Sequence, residues 1–130
     1  MSHPLKIIIS ITVLMAIIIS ISVYSFRTLS SSSEKLDGEV ALVEKCVKGG
    51  DWQKAESNLS SVKSQWDRTK KVWTMLLDHF EIDNIENTMS KLSKFIETRN
   101  MPLSLSETAS LRQYIRHIPE SQSFEIKNIL

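Results

Sequence analysis

From Ile7 to Phe26 the chain reads IIISITVLMAIIISISVYSF, twenty residues without a charge, interrupted mainly by Ser and Thr hydroxyls that can bond back to the preceding helical turn. At about 1.5 Å per residue, a helix of that length spans the roughly 30 Å hydrocarbon core of a bilayer. Lys6 and Arg27 bracket the stretch, and Tyr24 with Phe26 stands where interfacial aromatics gather. A cleaved signal peptide is the rival reading, with Lys6 as its basic start and Ser20 and Ser22 as a small-x-small pair. The apolar run is longer than a usual signal-peptide core, which favours an uncleaved signal anchor. Ser30 to Ser33 then reads as a flexible joint or a helix cap, because Ser hydroxyls compete locally for backbone bonds. The expected organisation is a short tail at 1–6, a transmembrane signal anchor at 7–26, a Ser-rich joint at 27–33 and a helical domain at 34–130.

Within that domain Leu36, Val40, Val43 and Val47 recur at helical spacing and predict a helix over about 33–48, ended by Gly49-Gly50. Asp51 is a good N-cap for the next segment. There Trp52, Ala55, Leu59, Val62, Trp66, Thr69, Trp73, Leu76 and Phe80 alternate by threes and fours, predicting a helix over about 52–79. Continuing the same frame would place Asp83, Asn87 and Ser90 on the stripe, whereas the apolar positions are Ile82, Ile85, Met89, Leu92 and Ile96. A straight helix cannot serve both stripes with one core, so a turn is expected near 79 to 83, with Asp83 and Glu86 as the capping box of a third helix.

That third helix should run to about Arg99, where Asn100 and Pro102 stop it. Ser104 and Glu107 make a further capping-box pattern, opening a fourth helix with Leu105, Leu111, Tyr114, Ile115 and Ile118 as its apolar face and Pro119 as its end or kink. The tail carries Phe124, Ile126, Ile129 and Leu130 and could form a last short helix. The fold class expected is all-α: an N-terminal transmembrane helix followed by an antiparallel helical bundle, or stacked helical hairpins, of about four helices. A parallel coiled-coil dimer is the alternative, and the Trp residues repeated at one heptad position argue against so tight a seam.

Sixteen Lys and Arg against fifteen Asp and Glu leave a net charge of +1, so no global field draws the chain to nucleic acid. Arg68, Lys70 and Lys71 cluster locally, but Trp66 and Trp73 fall on the apolar stripe and not among them, so no nucleic-acid partner is expected. The single Cys46 excludes an intramolecular disulfide and reads as a half-buried structural thiol. Potential ligands are densest at Asp78-His79-Phe80-Glu81-Ile82-Asp83, followed by Glu86. His79 and Asp83 stand four apart, a spacing at which a helix offers two ligands on one face, yet the expected turn falls inside the segment. The acids then read as caps that complement a helix dipole. His117 could approach that turn under one of several packings. The expectation is no catalytic residue, no cofactor and no metal, with His79, Glu81, Asp83 and His117 the residues that would carry a metal if one bound.

An N-terminal span, Asp51-Trp52-x-x-Ala55, Trp66 and Trp73, Asp78-His79-x-Glu81-Ile82-Asp83 and a closing Asn128-Ile129-Leu130 together resemble the small bacterial family called domain of unknown function 4363, over nearly the whole chain. The resemblance implies an anchored helical protein of clostridia and related Firmicutes, with no assigned activity and no established functional residues. It also implies an accessory role, since genes of the family often lie near those of multi-pass membrane proteins. The function expected is therefore that of a single-span, non-enzymatic interaction protein that is held in the membrane through residues 7–26 and works with another membrane protein. A small-ligand sensor bundle, or a metal-dependent enzyme using the 78–86 cluster, is the alternative. The start amine and Lys6 balance Arg27 and Lys35, so charge leaves the topology open. The short tail ahead of the span is the usual signal-anchor arrangement, and the domain is expected outside the cytoplasm.

Overall fold

The computed structural model describes the backbone of residues 2–129 and the side chains of residues 2–121. Four helices follow one another: α1 (His3–Lys48), α2 (Trp52–Leu76), α3 (His79–Glu97) and α4 (Met101–Ile129). No strand occurs among the described residues, so the protein is all-α as expected. Tight turns make each helix antiparallel to the one before it. α1 packs on α2 and α4, and α3 packs on the same two, which closes an up-and-down four-helix bundle.

α1 is a single helix of 46 residues. Its first half contains a window of mean hydropathy 2.6, none of it buried in the protein, which is long and apolar enough to cross a membrane. Its second half is one wall of the bundle. The joint expected at 27–33 is absent: the Ser run is helical, and the buried face begins well before Leu36. Leu29, Ser33, Leu36, Val40, Val43 and Val47 alternate by fours and threes, and all are buried. A polar residue holds one place in this stripe because of Pro119 on the opposite helix. α4 continues through Pro119, which has no N–H to give to the Ile115 carbonyl one turn earlier. The Ser33 hydroxyl donates to that carbonyl instead, at 2.8 Å and in a buried position. Local preference marks the Ser run as a joint or a cap, and the tertiary partner reverses its role.

The turns also depart from the sequence expectation. α2 ends at Leu76, Leu77 is extended, and Asp78 caps α3, accepting a hydrogen bond from the Phe80 N–H at 3.3 Å. The turn therefore precedes the 79–83 site expected, and Asp83 caps nothing. Two capping-box patterns overlap here, Asp78 with Glu81 and Asp83 with Glu86. The first prevails because Ile82, 4% exposed, must already be on a helix to reach the core. Phe80, which the α2 stripe claimed, lies instead on the first turn of α3 and is 70% exposed. α4 likewise starts earlier than Ser104. Asn100 caps it, accepting from the Leu103 N–H at 3.1 Å, while Ser104 and Thr108 are buried on its inner face and Tyr114, expected there, is exposed. The helix does not end at Pro119: its backbone continues to Ile129, so there is no separate last helix. The side chains of Phe124, Ile126, Ile129 and Leu130 lie outside the described residues.

At the other end of the bundle, α1 and α3 finish in the same way. Gly50 (φ 70°) and Arg99 (φ 57°) take the left-handed position after each helix. The N–H groups of Asp51 and Asn100 then reach back to the Cys46 and Phe95 carbonyls, at 3.0 and 2.8 Å. The Trp stripe of α2 forms the heart of the core. Trp66 and Trp73 are 3% and 0% exposed and meet edge to face, ring centres 5.6 Å apart. The lapse at Thr69 is accommodated because its buried hydroxyl donates to the Gln65 carbonyl.

Alanine at Trp73 is expected to cost about 3–5 kcal/mol, measured by thermal or chemical melts of the full-length protein in detergent. A double-mutant cycle isolates the serine: Ser33→Ala is expected to cost about 1–3 kcal/mol, as it strands a buried carbonyl. Much less should be lost in a Pro119→Ala background, where residue 119 regains an N–H for Ile115.

Candidate functional site

An open cleft lies between the start of α3 and the outer face of α4, lined by Phe80, Glu81, Asn84, Tyr114, His117 and Ile118. Asp78 sets the phase of α3, so Glu81 and Asn84, three residues apart, turn together towards α4. Tyr114, His117 and Ile118 share a face of α4 by the same spacing and meet them from the other side. The antiparallel packing thus brings two of the four residues singled out in the sequence, Glu81 and His117, to one cleft. His79 and Asp83 do not line it and are exposed. Among the described residues, no three His, Cys, Asp or Glu side chains come together as a metal-binding group. A carboxylate, an amide, a phenol and an imidazole around Phe80 and Ile118 offer hydrogen bonding beside an apolar floor.

A second polar constellation, which the sequence did not reveal, bridges α1 and α4. The Arg112 guanidinium forks onto both oxygens of Asp37, at 2.9 and 3.3 Å, and reaches Glu44 at 3.4 Å. Arg116 approaches Asp37 at 3.8 Å, and Lys48 pairs with Glu44 at 3.0 Å. Asp37 and Glu44 are seven residues apart, which stacks them two turns apart on the flank of the buried stripe. Both acids and Arg112 are mostly shielded, with side chains 18%, 22% and 26% exposed. The Asp37 contact raises the Arg112 pKa further above its ordinary value. Lys48, with help from Arg112, holds Glu44 below the usual glutamate value against the opposing effect of burial. The sequence did carry a signal, two acids at heptad spacing beside an apolar stripe, but it did not name their partner.

The family model for a domain of unknown function, DUF4363, matches residues 23–129. The chain belongs to this family. No curated protein and no solved structure matches it. The DUF4363 segment begins near the end of the apolar stretch and takes in every buried residue from Leu29 to Ile118. What the family model describes is therefore the bundle, including the part of α1 that forms its wall. Cys46 is half-buried at the α1–α2 interface, where its sulfur accepts from the Asn58 side-chain amide at 3.3 Å. Lys70 pairs with Glu86, which also accepts from the Trp66 indole N–H at 3.4 Å, so one of the three clustered cations is tied to the α2–α3 interface.

Arg112→Met should cost about 1–2 kcal/mol by denaturant melts, since it leaves two mostly shielded carboxylates without their shared cation. A carboxylate with a depressed folded-state pKa contributes stability that is present above its unfolded value and lost as pH falls through the folded one. Acidification through and below the ordinary glutamate range is therefore expected to lower the melting temperature, and Glu44→Gln to flatten that fall.

Proposed function

We propose that this DUF4363 protein is a non-enzymatic, single-span membrane protein whose bundle, held outside the cytoplasm, docks on another membrane protein. The observation that carries this reading is the continuity of α1. One helix contains both the apolar stretch and the bundle wall, with Ser33 clamped to α4 where a joint was expected. A bundle on a flexible tether would sample many orientations, whereas one built onto its own anchor presents fixed faces to neighbours in the membrane plane. The polar clusters found between the helices support this reading, because their charges face each other across helix interfaces and stabilise the scaffold. The orientation goes with the reading of residues 7–26 as a signal anchor and is tested by the thiol labelling below.

The protein is expected to stay in the membrane fraction after alkaline extraction at its uncleaved mass; release as a shortened product would show a cleaved signal instead. A cysteine placed at the exposed Gln53, in a Cys46→Ser background, should react with a membrane-impermeant thiol reagent on intact cells. Affinity capture of the full-length protein from its native membrane, followed by mass spectrometry, should retain a membrane protein as its partner.

A further inference from the structure

The unbroken α1 also fixes how far the bundle stands from the bilayer. α2 has 25 residues, about 37 Å of helix, and runs back antiparallel to α1 from the turn at Gly49 and Gly50. Counting as many residues back along α1 from Lys48 reaches Tyr24, close to the end of the apolar stretch. The α1–α4 pairing agrees: Ser33 meets Ile115 and Asp37 meets Arg112, a register that sets Ile118 opposite Ser30. Phe80 lines the same cleft as Ile118, so it shares that level. The α2–α3 tip therefore hangs beside residues 24 to 30 of α1, within the roughly 5–7 Å of headgroup layer beyond the hydrocarbon core.

At that tip the protein exposes large apolar side chains. Met75 is 78% and Phe80 is 70% exposed, and Val72, one turn before Met75 on the same outward face, is 38% exposed. In water such a cluster would be a liability. At the headgroup level it is the composition that interfacial contacts use, an aromatic ring and a flexible thioether beside polar groups.

We propose that the α2–α3 tip rests in the interface of the same bilayer that α1 crosses, with Met75 and Phe80 inserted among the lipid headgroups. The inference depends on the anchoring of α1 proposed above. The occupant is lipid because the tip is continuous with the apolar stretch and level with its interfacial aromatics. Asp78, Glu81 and Asp83 flank Phe80 along the chain, so the contact is apolar in origin and does not need anionic lipid.

The test uses the full-length protein in phosphatidylcholine vesicles, with a fluorophore on single cysteines introduced by Ile17→Cys, Gln53→Cys, Met75→Cys or Phe80→Cys in a Cys46→Ser background. All four sites are exposed, so the core is left intact. Lipid nitroxides near the glycerol backbone should quench the probes at 75 and 80 severalfold more than the probe at 53. Nitroxides deep in the acyl chains should quench the probe at 17. Deep quenching at 17 with residues 75 and 80 behaving like 53 would overturn the tip contact and leave the anchor standing. No quenching at 17 would remove the anchor, and the inference with it. Probes at 75 and 80 shielded from both lipid nitroxides and a water-soluble quencher would put protein on the tip, and that too would overturn the proposal.

Discussion

Pro119 deprives the Ile115 carbonyl of its donor within α4, and the Ser33 hydroxyl supplies one from α1. Neither residue would be favoured in a helix by its own propensity. Together they convert two local weaknesses into a buried bond between the first helix and the last, which closes the bundle. The bond sits about two turns beyond the apolar stretch, at the Ser run where α1 would otherwise be weakest. Keeping α1 helical at this point makes the apolar stretch and the bundle wall parts of one element.

The two ends of the bundle are built differently. At the end away from the apolar stretch, α1 and α3 both finish in a left-handed residue with paired backbone bonds, one on Gly50 and the other on Arg99. Asp51 and Asn100 then cap the following helices from within the same short turns. At the near end, the α2–α3 connection has only Leu77 and Asp78 outside the helices and leaves Met75 and Phe80 uncovered. Closed backbone chemistry at one end and exposed apolar side chains at the other fit the proposal that the bundle stands on a bilayer.

Between these ends the polar groups act in pairs across helix interfaces. Arg112 ties Asp37 and Glu44 on α1 to α4, and Glu86 on α3 takes both the Trp66 indole and Lys70 from α2. Such pairs contribute modest stability where half exposed, but they fix which faces meet. The cleft between α3 and α4 follows from the same register, since Glu81 and His117 come together only because the two helices run antiparallel from the turn after α3.

The sequence by itself determined the four helical segments of the bundle, the apolar stretch, the phase change between the α2 and α3 stripes, and the tryptophan core, because each is a periodic property of neighbouring residues; that the apolar stretch and the first bundle segment are one helix it did not show. The same reasoning placed Gly50 and Asp51 correctly, since cap chemistry is local. It misplaced the α2–α3 turn because Asp78-x-x-Glu81 and Asp83-x-x-Glu86 are equally good capping signals, and only the burial of Ile82 selects between them. It named Glu81 and His117 without being able to join them, and it missed the Arg112 cluster, whose members lie some 70 residues apart. It read Ser30 to Ser33 as a joint because serine's local preference is to leave a helix. Only the tertiary structure supplied the carbonyl, orphaned by a proline 86 positions along the chain, that gives Ser33 a reason to stay.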